Sequence, residues 1–475
     1  MRKLLLLAVA AAALAAFFVG CSSSSNPSQM GAVTLTMSDP ATCTAPQGPY
    51  SHVYVTITDA LAHTSSTAGP NDSGWLDLTP NLKSNPMQVD LLAAASNQCF
   101  LATLGSNTQL QAGNYQQIRL ILLANSSASS VTGNKCGSAA NCVVLAADNS
   151  VHTLLLSSEA QTGIKIPSGQ IAGGQFTVAA GQTVDLNIDF NTCASIVVQG
   201  NGQYRLKPVL HAGEVSTTSA SINGKVVDKA TDLPVVGGKT VVALEQTGAA
   251  CSGAGCVSTN PIDRILMEVV PDANGNFTFC PVPPGTYDVI AVALNGSNVA
   301  YAATITTGVQ PGNALGNIPL IAQTGPSTAP ATVGGTVTTT TGSAAAAADI
   351  SVSPLQAITG KLVTIPLTQG SSTVTTAGGA SCPSNTDCAD YSLTVPAMNP
   401  NIGAFSSGGT TYTQDTVSAV SYTVDALAFV VSSGGTADCS PSELQTASLK
   451  GGGSLTVTPG ASFTAATLAF TGCAP

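Results

Sequence analysis

Beyond residue 20, no stretch of this chain places apolar residues at helical spacing. Short runs alternate apolar and polar residues instead, and stop at Gly, Pro, Asn or Asp: "AVTLTMS", "HVYVTITDA", "QIRLILL", "VDLNIDF", "INGKVVD", "TVVALEQ" and "SYTVDALAFVV". Period-two alternation sends successive side chains to opposite faces of a strand, and strands interrupted this often pack as sandwiches. The expected fold class is all-β, with β-sandwich domains in series. At 475 residues the chain exceeds a single core, so a few domains of roughly 100 to 200 residues are expected.

Two of these runs share a phrase. "PPGTYDVIAVAL" (283–294) and "QAGNYQQIRLILL" (111–123) both set Gly-x-Tyr before an apolar strand. The phrase reads as scaffold: Gly285 accommodates a turn and Tyr287 carries a large ring into the sandwich. Val289, Ala291 and Ala293 then share one face, with Ile290, Val292 and Leu294 on the other. Both faces are apolar, which predicts a central strand covered on both sides. In the earlier run, Gln117 and Arg119 mark a wetter face.

Charged residues are only 8% of the chain, against roughly 25% in an ordinary globular protein, and the net charge is −10. Beyond Arg2 and Lys3 its basic residues are scattered singly, so nothing here holds a phosphate backbone, and nucleic acid is not an expected partner. Residues 1–20, "MRKLLLLAVAAAALAAFFVG", have a basic start and a long apolar stretch directly before Cys21, and "SSSSNPSQ" follows. That pattern fits a secretory leader. Its "VGC" ending resembles the bacterial lipobox, although Phe18 stands where Leu is usual. The resemblance implies a lipidated, palmitate-bearing Cys21, a membrane anchor through that lipid, and, from Ser22, sorting to the outer membrane. An uncleaved anchor helix is the alternative. Setting Cys21 aside leaves 12 of 13 cysteines, an even number suited to disulfides in an exported chain. Cys136/Cys142, Cys251/Cys256 and Cys382/Cys388 are close pairs around Gly- and Ser-rich loops, without the spacing or histidines of a zinc site.

Three units follow the leader (1–20) and a Ser-rich tether (21–30). In the first, 31–213, "GAVTLTMSDPAT", "QAGNYQQIRL" and "GQYRLKPVL" occur in an order that resembles the bacterial lipoprotein-associated domain-of-unknown-function family "four-three-eight-two". That family has no established activity. The second, 218–322, has "ASINGKVVDKATDLPVVGGKTVVALEQ" and "PDANGNFTFCPVPPGTYDVIAVAL", and resembles carboxypeptidase regulatory-like domains. The resemblance implies a transthyretin-like or immunoglobulin-like sandwich, with a hairpin at Asn274-Gly275. A linker, 323–332, leads to the third unit, 333–475, which faintly repeats the second and reads as a diverged copy. By these boundaries the first unit holds five cysteines and the second three, which suggests a bridge between them, Cys193 to Cys280 being one pairing.

No hydrolase motif is present, and His52, His63, His152 and His211 are scattered. In "VDLNIDFN", Asp185, Asn187 and Asp189 fall on one strand face and could contribute oxygen ligands to calcium; the alternative is a solvated sheet face. "DANGNF" (272–277) reads as a turn, since Gly275 comes too early for a calcium loop. Trp75, the sole tryptophan, is either a core residue or a sugar-stacking platform, with Tyr50, Tyr54 and Tyr412 as weaker candidates. No cofactor is expected apart from that calcium. The expected function is a non-enzymatic cell-envelope lipoprotein, a structural or adhesive surface module with a glycan or envelope protein as partner. Glycan capture and an enzyme with an unrecognised site are the alternatives.

Overall fold

A computed structural model describes residues 30–38, 50–92, 102–156, 159–171, 174–190, 192–198, 203–206, 208, 210–215, 221–235, 238–280, 282–368, 373–430 and 439–473. The leader and Cys21 lie outside these residues. Among the described residues no helix is long and apolar enough to cross a membrane. The chain is all-β and built from stacked sheets.

In the first unit a four-stranded sheet, ordered Leu210–Val215, Thr183–Phe190, Met30–Ser38 and Ala102–Gln111, faces a nine-stranded sheet. Its two central strands run parallel, with Ala32 opposite Thr183 and Ser38 opposite Asp189. Alternation sends Leu35, Met37, Leu186 and Ile188 inward against Val55, Ile57, Ile118 and Leu120 of the larger sheet, in one core. The expected wetter face of "QIRLILL" is dry. Gln117 and Arg119 are buried, with Gln117 Nε2 donating to the Ala68 carbonyl and Arg119 Nη1 to that of Thr162, both at 2.8 Å. Loop carbonyls that close over this strand supply partners that its own sequence does not reveal.

The repeated phrase forms the same corner twice. Tyr115 Oη donates to the Gln111 carbonyl at 2.8 Å, and Tyr287 Oη to that of Pro283 at 2.7 Å. Each ring thus closes the loop four residues before it, as a tyrosine corner does. Gly285 serves by clearance: a Cβ there would lie 3.0 Å from Tyr287 Oη.

In the second unit, Asn276–Phe279, Ile222–Asp228 and Ala314–Leu320 form one sheet. Pro261–Val269, Lys239–Ala250, Tyr287–Leu294 and Thr304–Val309 form the other layer, around a shared core. The expected hairpin at Asn274-Gly275 is a tight turn, with Gly275 N–H donating to the Asp272 carbonyl at 2.8 Å and Gly275 at φ 81°. The strands it joins part onto the two sheets, because Phe277 and Phe279 on the second strand fill the core between them.

The third unit repeats this pairing. Ala331–Thr339 lies antiparallel to Asp387–Val395 and parallel to Ser462–Thr464 and Leu468–Phe470, as Ile222–Asp228 lies to its own two neighbours. Ala348–Ile358 sits between Lys361–Thr364 and Thr423–Val430, as Lys239–Ala250 sits between Pro261–Val269 and Tyr287–Leu294.

The two units share one eleven-stranded sheet. The second unit's four strands occupy its middle, and strands of the third join both edges in parallel, Ile262 opposite Leu362 and Thr304 opposite Asn401. The doubly apolar strand Tyr287–Leu294 is buried throughout. Val289 and Ala291 face the second unit's core, while Ile290 and Val292 enter the core of the third. The stretch 323–332 is pinned down as well, with buried Gln323 donating through Nε2 to the Ala329 carbonyl at 2.8 Å.

Disulfides join Cys136 to Cys142, Cys251 to Cys256, Cys382 to Cys388, and Cys439 to Cys473. Cys280 is disulfide-bonded too, and every other cysteine after residue 218 is paired within that region, so its partner belongs to the preceding chain. The side chain of Cys193 lies outside the described residues. Removing the hydroxyl at the second corner by Tyr287→Phe leaves the buried Pro283 carbonyl without its donor. It should cost about 1 to 3 kcal/mol, read as a lower denaturant midpoint for the unfolding step of the fused second and third units.

Candidate functional site

The strand Thr183–Phe190 holds Asp185, Asn187 and Asp189 on the face expected, opposite Leu186, Ile188 and Phe190. That face is not solvated at its end, since Asn187 and Asp189 are buried. Thr36 Oγ1 donates to Asn187 Oδ1 at 3.1 Å, Asn187 Nδ2 to Ser38 Oγ at 2.8 Å, and Ser38 Oγ to Asp189 Oδ1 at 3.0 Å. The ladder uses up both ends of the Asn187 amide. Asp189 lies opposite His211 on the next strand, and Asp189 Oδ2 and His211 Nδ1 are both buried without a hydrogen-bond partner. A nucleophile-base relay would need histidine between serine and aspartate; here the aspartate is in the middle. No group of three or more His, Cys, Asp or Glu among the described residues is arranged to hold a metal ion.

Trp75 is half-buried and clamps a loop. Its Nε1 donates to the Gly69 carbonyl at 2.8 Å, the Arg119 guanidinium lies 5.2 Å from its ring centre, and His63 packs at 5.1 Å. The placement of Arg119 fits a cation–π contact.

The densest buried charge lies elsewhere, at the seam of the second and third units. Glu245, Asp263 and Asp288 come from three adjacent strands of the shared sheet. Glu245 is directly opposite Asp288 and, through its pairing with Ile265, diagonal to Asp263. All three point to the face that carries Ile290 and Val292. Lys361, on the first strand across the seam, contacts both aspartates: Nζ is 2.5 Å from Asp263 Oδ2 and in contact with Asp288 Oδ2. Thr247 Oγ1 donates to Asp263 Oδ1 at 2.6 Å, the Gly308 N–H to Asp288 Oδ1 at 3.1 Å, and the Thr364 N–H to Glu245 Oε2 at 3.3 Å. Glu245 Oε1 is buried without a partner.

Burial, with Asp263 and Asp288 adding to it, raises the Glu245 carboxyl well above the usual range. Asp263 is also raised, by burial that outweighs the opposing pull of Lys361 and Thr247. Burial works to lower Lys361, but the two aspartates prevail and raise it. Beside this cluster Arg264 pairs with Asp425 at 3.1 Å and Glu443 at 2.8 Å, again across the two units. Sequence reading missed Glu245, Asp263, Asp288 and Lys361. Their signal was a lone charge on an otherwise apolar strand face, most plainly Asp288 before Ile290 and Val292.

Residues 30–208 match the family described as a domain of unknown function (DUF4382), which identifies the first unit. No curated protein matches the chain. Among solved structures, the Bacillus anthracis TIE protein is similar over 93% of this chain and 50% of its own, with 10% identity and a TM-score of 0.16; this chain spans half its length. The shaft pilin SpaA from Lactobacillus rhamnosus GG, in a doubly substituted form, is similar over 62% of this chain and 98% of its own, at 12% identity and TM-score 0.17. GBS52, the minor pilin of Streptococcus agalactiae, is similar over 53% and 95%, at 11% and 0.17.

The first unit's ladder makes stability depend on pH. Burial raises Asp189 from 3.8 to about 7 against the opposing Ser38 hydrogen bond, so the folded chain keeps a proton that the unfolded chain releases. That contribution is complete below the unfolded value and is lost as pH rises through about 7. Burial lowers His211 from 6.5 to about 4, so its contribution is present above the unfolded value and lost as pH falls through about 4. Asp189→Asn keeps an acceptor for Ser38 and carries no charge. Denaturant midpoints should place the variant above wild type by on the order of a few kcal/mol at about pH 8, with the gap closing as pH falls toward about 4.

Proposed function

We propose that this chain is a non-enzymatic envelope lipoprotein, tethered through lipid on Cys21, which displays a rigid multi-sandwich body as a structural or adhesive module at the outer membrane. The observation that carries this reading is the continuous sheet through the second and third units. A body joined along both edges of one sheet resists separation of its parts better than sandwiches strung on a flexible linker. The paired cysteines suit an oxidising location outside the cytoplasm. The Ser-rich stretch after Cys21 provides a flexible spacer.

Glycan capture would rest on Trp75, whose N–H is already used by Gly69 and whose ring lies against Arg119. Metabolic labelling with radioactive palmitate tests the anchor: wild type should incorporate label and Cys21→Ala should not, and equal incorporation rejects it. External protease added to intact cells should cut the displayed body of wild type, whereas complete protection would reject outward display.

A further inference from the structure

The seam cluster holds an amine against carboxyl groups in a setting suited to a covalent step. We infer that Lys361 Nζ and the Asp263 side chain form an intramolecular amide, a cross-link that locks the second unit to the third.

Three observations support it. First, the partners touch: Nζ lies 2.5 Å from Asp263 Oδ2, and Asp288 holds Nζ from a second side. Strand pairing fixes both backbones, because Asp263 is opposite Val363, two residues beyond Lys361 on the same face. Reactants held in this way gain an effective concentration that free amine and carboxyl groups never reach. Second, the site is dry, with the Asp263 and Asp288 side chains 1% and 6% exposed and that of Lys361 20%. Burying an ion pair penalises its charges, which favours passage of one proton from the ammonium to Asp263 and leaves a neutral amine beside a neutral acid. The upward shift of Asp263 runs the same way, while the pull of the two aspartates on Lys361 opposes it. Third, a proton carrier stands beside them. Glu245 is completely buried, its carboxyl is raised well above the usual range by that burial, and its Oε1 has no hydrogen-bond partner among the described residues.

The step balances without a further reagent. The lone pair of neutral Nζ attacks Asp263 Cγ, and the C–N bond forms. Thr247 Oγ1, donating to Asp263 Oδ1, stabilises the charge that develops on that oxygen. Glu245 gives its proton to the departing hydroxyl and recovers one from the nitrogen, the C–O bond breaks, and one water leaves. The product is a secondary amide, with no change in oxidation state.

Peptide mapping of the full-length wild-type chain, reduced and digested with trypsin and chymotrypsin together, tests this directly. Trypsin cuts after a free lysine and not after one whose Nζ is in an amide. The expected result is no cleavage after Lys361 and a branched peptide joining the Asp263 and Lys361 segments, lighter than their sum by one water. Lys361→Arg and Asp263→Ala should each yield linear peptides only. Glu245→Gln, forming the bond on the order of a hundredfold more slowly, should leave freshly purified chain mostly unlinked. Complete cleavage after Lys361 in wild type, or a branch carried by Asp288, overturns the inference. The wild-type digest decides it even if a variant fails to fold.

Discussion

The C-terminal half depends on one requirement: the strand Tyr287–Leu294 must bury both of its faces. A sandwich of two sheets covers only one face of each. The second unit alone satisfies Val289 and Ala291 and leaves Ile290 and Val292 bare, and the third unit covers these two. Fusion of the two units is therefore a consequence of hydrophobic burial. The parallel pairings at both edges, and the salt bridges from Lys361 and Arg264, form where that burial brings the strands together.

Polar groups follow the same logic. Carboxylates drawn under a covering layer need partners there, because an unpaired buried charge is costly. At the seam two of them obtain one from Lys361, which belongs to the covering unit. In the first unit the sheet supplies its own through the Thr36, Asn187, Ser38 and Asp189 ladder.

Much of this was legible in the sequence where the relevant physics is local. Alternation located the strands, and the Gly-x-Tyr phrase marked both corners. The close cysteine pairs 136/142, 251/256 and 382/388 were evident because short loops bring their sulfurs together. Even the doubly covered strand was visible from its two apolar faces. What covers it was not, since register between strands far apart in the chain leaves no mark at either strand alone. For the same reason Gln117 and Arg119 read as wet and Asp189 as solvated, when partners from loops and neighbouring strands enclose them. Glu245 sits singly in an alternating run, the pattern of an ordinary water-facing position, Asp263 is followed at once by Arg264, and Lys361 lies roughly a hundred residues away from Asp263; Asp288, at the head of a doubly apolar strand, was the one visible sign.

The parallel edge pairing of Thr304–Val309 with Asn401–Ala404 also sets an order of events during biogenesis. A chain made from its N-terminus presents Ile290 and Val292 long before the residues that cover them exist. Throughout that interval the second unit carries a sticky half-built layer, and its last edge strand waits for a partner. A chaperone that shields this surface, or a pause that delays folding until the C-terminal part has been made, would act on that one exposed layer.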